Sequence, residues 1–400
     1  MNILMLSDFW PTSSNPISGV FVQEQVEEYQ RQGHQVTVIA PLPKLRGRQR
    51  PRVLNHAGAV VHSPTVLIPP GLSYLRPASR VYVFNVCLSH WASTTSRVLA
   101  DRFDVDKMDA VHINGLSFAG LAAPRIRGLE TKKMIVTVHG EDPLTLAMAP
   151  TSKFQGIVAR ACRRIDLIAL CGTPLRGYAE SLGIPEEKTR IVPNGTFIPQ
   201  SIASRIAGRV PSVISIANLE DHKNIAANIH ALAKLRERHE FTYTVIGDGS
   251  QRSELERLAF ANGLSDKVRF TGRLDHETTM ALLATADVFC LPSLRDAFGI
   301  VFIEAMARRL PVIGGLGTGA EDIIEDAADG FLVNPRDAGE IAQALSKLLV
   351  DPALRRKMGD RAYEKAKGYS WKRNVEAYVE LFGARSAENR KTGVRRKNHT

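Results

Sequence analysis

Two acidic residues, Asp296 and Glu304, stand eight positions apart in the segment LRDAFGIVFIEAMARRLPVIG (294–314). Between them lie Phe298 and Gly299, where the pattern changes from a loop to a helix. Glu304 has apolar neighbours on both sides, and an acid in such a setting is usually semi-buried and needs a partner. The hydroxyl groups of a ribose would provide one, so the acids indicate a site for a polyhydroxylated, phosphorylated ligand. The alternatives are that both acids only favour solubility, or that Asp296 only complements the helix dipole.

Phosphate groups on such a ligand need positive charge and free N–H groups. Lys223, in ANLEDHKNI (217–225), follows a strand-like segment and precedes a helical one. Two glycine-rich turns, VIGDGSQRSELE (245–256) and VIGGLGTGAEDI (312–323), also join a strand pattern to a helix pattern. Helix N-termini attract phosphate, and glycine permits close backbone approach. Each feature alone is also typical of an ordinary turn or a surface lysine, so the hypothesis requires that folding brings them together.

The elements that position these residues follow a repeated βαβ rhythm. Short apolar runs alternate with amphipathic segments, and they predict strands at 2–9, 35–41, 110–114, 134–140, 166–170, 189–194, 212–218, 242–247, 267–272, 286–293, 310–315 and 330–334. Such a series predicts parallel sheets covered by helices on both faces. The stretch 195–211 has little periodicity and is typical of a linker. We therefore expect an α/β protein with two doubly wound domains facing each other across a cleft, with ligands outside the carboxyl ends of the strands.

The composition agrees with this class. A chain of 400 residues with 44% hydrophobic and 23% charged residues is typical of a soluble protein of two domains. No apolar run reaches the roughly 18 residues of a membrane span. The opening MNILMLSDFW lacks a basic leader and favours a strand over a signal peptide. The four cysteines form no Cys-x-x-Cys pair, which indicates free thiols and a cytoplasmic protein.

The net charge of +11 is concentrated in the segment PKLRGRQRPR (43–52) and in the tail from Arg385 onward. Such blocks fit anionic lipid headgroups, nucleic acid or a solvated surface. Aromatic residues are only 6% and are not interleaved with arginine, which disfavours nucleic acid. Together with the apolar segment LSYLRPASRVYVFN (72–85), the first block suggests a peripheral contact with the inner face of the cytoplasmic membrane. A solvated loop beside a core helix is the alternative.

Other ligand motifs are missing or weak. The triplet DVD (104–106) has the Asp-x-Asp pattern of metal-dependent sugar transfer, but it ends a helical run in a charged loop, and such triplets arise easily by chance. No Walker sequence is present, and no Gly-x-Gly-x-x-Gly follows the first strand. We therefore expect no metal site and no bound cofactor.

Taken together, these segments resemble the retaining glycosyltransferases of family 4, also called glycosyl transferase group 1. The most specific segment is PSLRDAFGIVFIEAMARRLPVIG, similar to the family's Glu-x7-Glu motif. Further similar segments are VHGED (138–142), IVPNG (191–195), FTGRLDHE (270–277), VIGDGSQRSELE and SGVFVQEQVEEYQRQGHQVTVIAP (18–41). The resemblance implies the GT-B fold of two facing Rossmann-like domains, over roughly residues 1–382.

Three positions depart from the family pattern. The first acid of the Glu-x7-Glu motif is Asp296, one methylene shorter. Asn218 stands where the family commonly has Arg, which removes one charge that could neutralise phosphate, and Arg273 or Arg295 would have to substitute for it. The Gly-Gly of the first loop is Ser18–Gly19 here.

The resemblance implies a role for each matched residue. His139 would lie near the reacting sugar, Lys223 would balance the leaving diphosphate, and Asp296 would contact the donor-sugar hydroxyls. The other implied substrate contacts are the ribose at Glu304, the diphosphate near Gly19, backbone N–H groups at Phe298, Gly299 and Ile300, and side chains at Asn218 and Arg273.

The resemblance also implies a division of the chain. Residues 1–195 would form the acceptor-side domain, 196–211 the linker, and 212–368 the donor-side domain. Residues 369–383 would be a helix returning to the first domain, and 384–400 a basic tail. The expected reaction is retaining transfer from a nucleotide-diphosphate sugar to a polysaccharide or lipid-linked acceptor, in surface polysaccharide biosynthesis. The alternative is a nucleotide-sugar epimerase of the same fold.

Overall fold

The computed structural model describes residues 1–12, 18–43, 52–56, 58–66, 68–69, 72, 75–202 and 209–383. The strands of the first half are β1 (Asn2–Ser7), β2 (Gln35–Ile39), β3 (Leu42–Pro43), β4 (Arg52–His56), β5 (Ala59–Ser63), β6 (Thr65–Val66), β7 (Ala110–Asn114), β8 (Lys133–Val138), β9 (Leu167–Leu170) and β10 (Thr189–Ile191). The helices are α1 (Val20–Arg31), α2 (Pro77–Arg102), α3 (Pro143–Met148), α4 (Ser152–Arg164) and α5 (Leu175–Ser181). Eight strands form one sheet in the order β10-β9-β8-β7-β1-β2-β5-β4, and β3 pairs with β6 separately. Within the large sheet only β4 runs antiparallel to its neighbour.

The second half repeats the arrangement. Its strands are β11 (Ser212–Ile216), β12 (Thr242–Ile246), β13 (Val268–Gly272), β14 (Val288–Leu291), β15 (Val312–Gly315) and β16 (Gly330–Val333). Its helices are α6 (Ile225–Ala233), α7 (Arg252–Ala261), α8 (His276–Thr285), α9 (Ile300–Met306), α10 (Ala338–Val350), α11 (Pro352–Ala366) and α12 (Trp371–Gly383). The six strands are all parallel and lie in the order β13-β12-β11-β14-β15-β16.

The strand orders explain where a ligand can bind. In both sheets the order of the strands reverses beside the first strand. The reversal lies between β1 and β7 in one sheet and between β11 and β14 in the other. Central strands such as β7 and β14 are buried along their whole length, as expected for a parallel sheet covered on both faces. At each reversal the following connections leave on opposite sides and open a crevice at the carboxyl ends. The predicted fold class, two facing doubly wound α/β domains, is confirmed.

Some elements differ from the sequence predictions. The strands β4 and β5 and the 26-residue helix α2 were not predicted as such, because their patterns are short or interrupted. Residues 352–383 form two helices, since Lys367–Tyr369 forms a 3-10 turn between α11 and α12. The basic residues 44–51, part of the linker (203–208) and the tail 384–400 lie outside the described residues. None of the described helices combines the length and apolar character that crossing a membrane requires.

The two halves are joined by several contacts at their facing edges. The backbone N–H and the hydroxyl of Thr173 donate to the two carboxylate oxygens of Asp322, both at 2.6 Å. Gly172 packs so closely on the backbone of Ala297 that a Cβ atom at this position would overlap its carbonyl oxygen. Helix α12 then crosses back and packs on α1, where the Tyr378 hydroxyl lies 2.6 Å from the Thr137 hydroxyl of β8. These contacts hold the carboxyl ends of the two sheets opposite each other.

We expect Gly172→Ala to destabilise the protein by about 1–3 kcal/mol, because the added methyl group must push Ala297 and its loop away. Gly177→Ala is the matched control, since Gly177 lies in α5 with open space at the Cβ position and alanine favours a helix. Urea unfolding of both variants measures the difference. Equal stabilities would show that the two halves are not packed closely at Gly172.

Candidate functional site

A cavity of about 520 Å³ lies between the two halves, within the size range of small-molecule sites. Residues of the first half contribute one wall and those of the second half contribute the rest. The lining residues are Val20, Phe21, Glu24, His139, Asn194, Ile216, Ala217, Asn218, Lys223, Ile246, Gly247, Arg273, Leu274, His276, Thr279, Met280, Asp296, Phe298, Gly299, Ile300, Val301 and Glu304. The cavity therefore occupies the crevice where both sheets reverse.

Almost all the site residues predicted from the sequence line this one cavity. They are His139, Asn218, Lys223, Arg273, Asp296, Phe298, Gly299, Ile300 and Glu304. Gly19 is not among the lining residues, although the next two residues, Val20 and Phe21, are. Gly19 has a left-handed backbone with a φ of 79°, and its Cβ position is only 2.7 Å from the backbone carbon of Phe9. This glycine is thus explained by the tight packing of the loop before α1.

Two loops of the second half meet at Lys223 and Asp296. The Lys223 ammonium donates to the Asp296 carboxylate at 2.7 Å, and the side chains are only 19% and 12% exposed. The sequence assigned these residues separate contacts, whereas the structure pairs them directly. The hydrogen bond to Asp296 therefore holds the Lys223 ammonium in a fixed position in the cavity.

The loop that carries Lys223 is held by its neighbours. Asn224, in a left-handed conformation with a φ of 57°, donates its side-chain amide to the carbonyl oxygens of Pro292 and Pro335 at 2.9 and 2.6 Å. The N–H of Leu294 donates to the carbonyl of His222 at 2.8 Å. The loops after β11 and β14 are consequently one unit, which fixes the geometry of the ion pair.

Glu304 lies on α9 with a side chain that is almost completely buried. Burial raises the pKa of Glu304 to about 7, and the nearby Glu24 carboxylate raises it further, whereas His276 and Arg308 oppose the shift. The sequence prediction of a semi-buried acid in need of a partner agrees with this environment. A ribose hydroxyl could donate to this carboxylate, because the cavity opens onto it.

The sequence analysis did not predict two titratable residues that line the cavity, Glu24 of α1 and His276 of α8. The His276 ring lies 3.0 Å from one Glu24 oxygen, and the indole N–H of Trp371 donates to the other at 2.8 Å. The hydrogen bond to Glu24 raises the pKa of His276, desolvation opposes this, and Glu304 adds to it. Both residues fall in segments that resemble the family, but only the folded chain shows that they meet.

His139 is held in an apolar part of the cavity wall. Its ring centroid lies 4.5 Å from that of Phe21 and 6.0 Å from that of Phe9. Burial lowers the pKa of His139 to about 3, with Asn194 acting in the opposite direction. The imidazole is therefore neutral at physiological pH, so it cannot act as a proton donor that starts out as an imidazolium.

The remaining motifs are separate from the cavity. Asp104 and Asp106 of the DVD triplet are not lining residues, and Asp104 pairs with Lys107 at 3.2 Å. Within the described ranges, no group of three or more His, Cys, Asp and Glu side chains is placed to hold a metal ion. The four cysteines are buried free thiols.

Two family models match the chain. The model described as "Glycosyl transferase 4-like domain" matches residues 18–195, and the one described as "Glycosyl transferases group 1" matches residues 199–365. The chain belongs to the group 1 glycosyltransferases. This confirms the family resemblance and places the chain in a family of enzymes.

Individual relatives agree with the family. The chain is 34% identical to alpha-D-kanosaminyltransferase from Streptomyces kanamyceticus over 153 residues, which are 38% of this chain and 40% of that protein. It is 30% identical over 232 residues to the lipopolysaccharide core biosynthesis glycosyltransferase LpsE from Rhizobium meliloti, covering 56% of this chain and 66% of that one. The matches thus span less than two thirds of these relatives' length.

A solved structure shows the same fold over nearly the whole chain. Anabaena HepE in complex with UDP-glucose superposes with a TM-score of 0.69, covering 96% of this chain and 99% of that one at 20% sequence identity. At this identity the likeness supports the GT-B architecture of the group 1 glycosyltransferase. None of these comparisons supports the alternative of a nucleotide-sugar epimerase.

We expect Glu304→Gln to change how stability depends on pH. The folded pKa of Glu304 is raised from 4.5 to about 7, so the folded state keeps a proton that the unfolded state loses. The stability associated with this carboxyl is complete below about pH 4.5 and is lost as the pH rises through 7. Relative to the wild type, the variant should gain roughly 3 kcal/mol across this range.

Urea unfolding between pH 4 and 8 tests this expectation. Glu376→Gln is the control, because Glu376 is exposed on α12 and should follow the wild-type profile. Parallel profiles for the wild type and Glu304→Gln would show that the carboxyl titrates normally.

Proposed function

We propose that this group 1 glycosyltransferase transfers a sugar from a nucleotide-diphosphate donor to a polysaccharide or lipid-linked acceptor, with retention of the anomeric configuration. The observation that carries the proposal is the Lys223–Asp296 pair in the same cavity as Glu304. Departure of the sugar leaves negative charge on the diphosphate, and Lys223 is the cation placed to stabilise it. Asp296 and Glu304, the two acids proposed to bind hydroxyl groups, line the same cavity.

The proposed roles of the lining residues give the donor one orientation in the cavity. Glu304 accepts hydrogen bonds from the ribose, and the diphosphate lies toward Lys223 and the backbone N–H groups of Phe298, Gly299 and Ile300. The first residues of a helix have no intrahelical acceptor for their N–H groups, which supports this placement. The solved structure of HepE, which has the same fold, contains UDP-glucose, and this supports a nucleoside-diphosphate sugar as the donor.

The donor sugar then lies between Asp296 and His139. Asp296 accepts hydrogen bonds from sugar hydroxyls. The Lys223 ammonium has three N–H donors, so it can bond to a phosphate oxygen while it keeps its bond to Asp296. The reacting carbon becomes oxocarbenium-like, as in glycoside hydrolysis. We propose that the acceptor attacks from the same face as the departing diphosphate and that its proton passes to a diphosphate oxygen. Lys223 supplies the charge stabilisation, so the proposed transfer uses no metal ion and no cofactor.

The acceptor side is supported by the relatives. LpsE is named for lipopolysaccharide core biosynthesis, which fits the proposed role in surface polysaccharide synthesis at the cytoplasmic face. An epimerase would instead act on the donor without an acceptor. Incubation with donor alone separates the two reactions, because only the epimerase would return an altered nucleotide sugar.

We expect Lys223→Met to reduce the transfer rate roughly 100- to 1,000-fold, because the leaving diphosphate loses its charge partner. A panel of nucleotide-diphosphate sugars, screened first by thermal shift, identifies the donor for this assay. Lys234→Met is the control, since Lys234 is exposed at the end of α6. Full activity of Lys223→Met, loss of wild-type activity in EDTA, or an inverted product anomer would each contradict a part of the proposal.

We also propose a peripheral membrane contact on the first half. Tyr82 and Val86, one turn apart on α2, are 72% and 47% exposed. Next to them, Arg125 donates to the side-chain oxygens of Asn85 and Ser89. Arg160 in α4 is near enough for the two positive charges to repel each other. Exposed apolar side chains beside clustered arginines fit an anionic lipid surface.

Sedimentation with vesicles tests this contact. Vesicles that contain anionic phosphatidylglycerol should bind the protein, and added salt should weaken the binding. The double variant Tyr82→Ser/Val86→Ser should bind several-fold less, whereas vesicles of phosphatidylcholine alone serve as the control. If the protein does not bind these vesicles, or if neither salt nor the variant changes the binding, the proposed membrane contact is wrong.

A further inference from the structure

We propose that three buried carboxamides, Asn374, Gln25 and Asn114, form a relay that holds His139 with its proton on Nε2, so that Nδ1 accepts a hydrogen bond from a sugar hydroxyl. The inference rests on the proposed function, because it gives His139 a defined role toward the donor sugar in the cavity. Asn374, Gln25 and Asn114 would be positioning residues that act on the sugar only through His139.

The relay begins at a backbone carbonyl whose role is unambiguous. The side chain of Asn374 on α12 lies 2.6 Å from the carbonyl oxygen of Pro193, in the loop after β10. A carbonyl oxygen can only accept, so Asn374 must turn its NH₂ group toward Pro193. Its own side-chain oxygen is thereby directed the other way, toward α1.

The orientation passes from one amide to the next. Gln25 on α1 donates its NH₂ group to the Asn374 oxygen at 2.7 Å. The Gln25 oxygen then accepts from the NH₂ group of Asn114, at the end of β7, at 3.5 Å. The oxygen of Asn114 is left to face His139 Nε2 at 2.7 Å.

Burial makes the relay exclusive. Gln25 is 2% exposed, Asn114 is fully buried and Asn374 is 6% exposed, so solvent cannot replace these partners. The bond between Gln25 and Asn114 is the longest of the series, which makes it the most easily broken link. Reversing any amide would place two donors or two acceptors face to face, a penalty of about 1–3 kcal/mol in a buried site.

The orientation of Asn114 determines which ring nitrogen of His139 carries the proton. Because the Asn114 oxygen can only accept, His139 must present a proton at Nε2, and the lone pair is then on Nδ1. Nδ1 is buried and makes no well-aligned hydrogen bond to the described residues, although the Asn194 side chain lies near enough to His139 to raise its pKa. His139 lines the cavity, and we infer that a small adjustment of the ring on ligand binding lets a ligand group satisfy this buried nitrogen. The matching ligand group is a hydrogen-bond donor, and on a neutral sugar that is a hydroxyl group.

The relay also connects the site to α12. Asn374 is 235 residues from His139 along the chain and lies on the helix that crosses back from the second half. Docking of α12 is therefore required for the correct proton position in the cavity. A simple packing role for α12 would not have this consequence.

The test compares two single substitutions on the same face of α12. Asn374→Leu removes the first amide of the relay but keeps a similar volume. Tyr378→Phe is the matched control, since it removes a buried hydroxyl one turn later that bonds to Thr137 and not to the relay. Nitrogen-15 spectra of histidine-labelled protein report which ring nitrogen of His139 carries the proton, with His139→Gln used to assign the signal.

We expect the wild type and Tyr378→Phe to show protonated Nε2, and Asn374→Leu to show mixed or reversed tautomers. The transfer rate at saturating donor should fall about tenfold in Asn374→Leu, the loss of one hydrogen bond in the transition state, with little change in Tyr378→Phe. Asn374→Gln, which can restore the amide, should recover part of both signals.

An unchanged His139 spectrum in folded Asn374→Leu would overturn the relay, whatever the activity. A changed spectrum with an unchanged transfer rate would overturn the role of Nδ1 toward the sugar. Failure of the proposed function is distinguishable from both, because it would appear as the absence of any stabilising nucleotide sugar for the wild type.

Discussion

The site depends on one electrostatic contact, the ion pair between Lys223 and Asp296. These residues follow β11 and β14, which are neighbours because the order of the strands reverses at this point of the sheet. Each partner holds the other within a hydrogen bond of 2.7 Å, and partial burial keeps solvent from screening the pair. The cation that the proposed reaction needs beside the leaving diphosphate is consequently already held in position by Asp296, which is the arrangement that electrostatic catalysis favours.

The closeness of the two halves is the second condition. Glu24 of the first half contacts His276 of the second, and Trp371 at the start of α12 contacts the same carboxylate. The Glu24 and Glu304 carboxylates repel each other when both are charged. A protonated His276 is attracted to both of them. The charge state of the cleft is therefore a property of both halves together, and a change at one wall alters the other.

The extent to which the sequence predicted the site follows from how local each feature is. Asp296, Phe298, Gly299 and Glu304 belong to one continuous motif, so the family resemblance located them together. Glu24 and His276 lie within segments that resemble the family but were not predicted as site residues, because nothing in either segment shows a partner 252 residues away. The helix α2 and the strand pair β4–β5 were missed for a related reason, since their partly exposed faces break the apolar pattern.

The amino-acid sequence by itself determined the α/β class, the doubling of the domain and the loops that carry the site, because apolar periodicity and turn residues are local properties of the chain. Only the tertiary structure decided that Lys223 bonds to Asp296, that Glu304 is buried with a raised pKa, and that His139 faces Asn114. These depend on distances between residues far apart in sequence and on the exclusion of water around them. Both arise only once the sheets have paired and α12 has packed against α1.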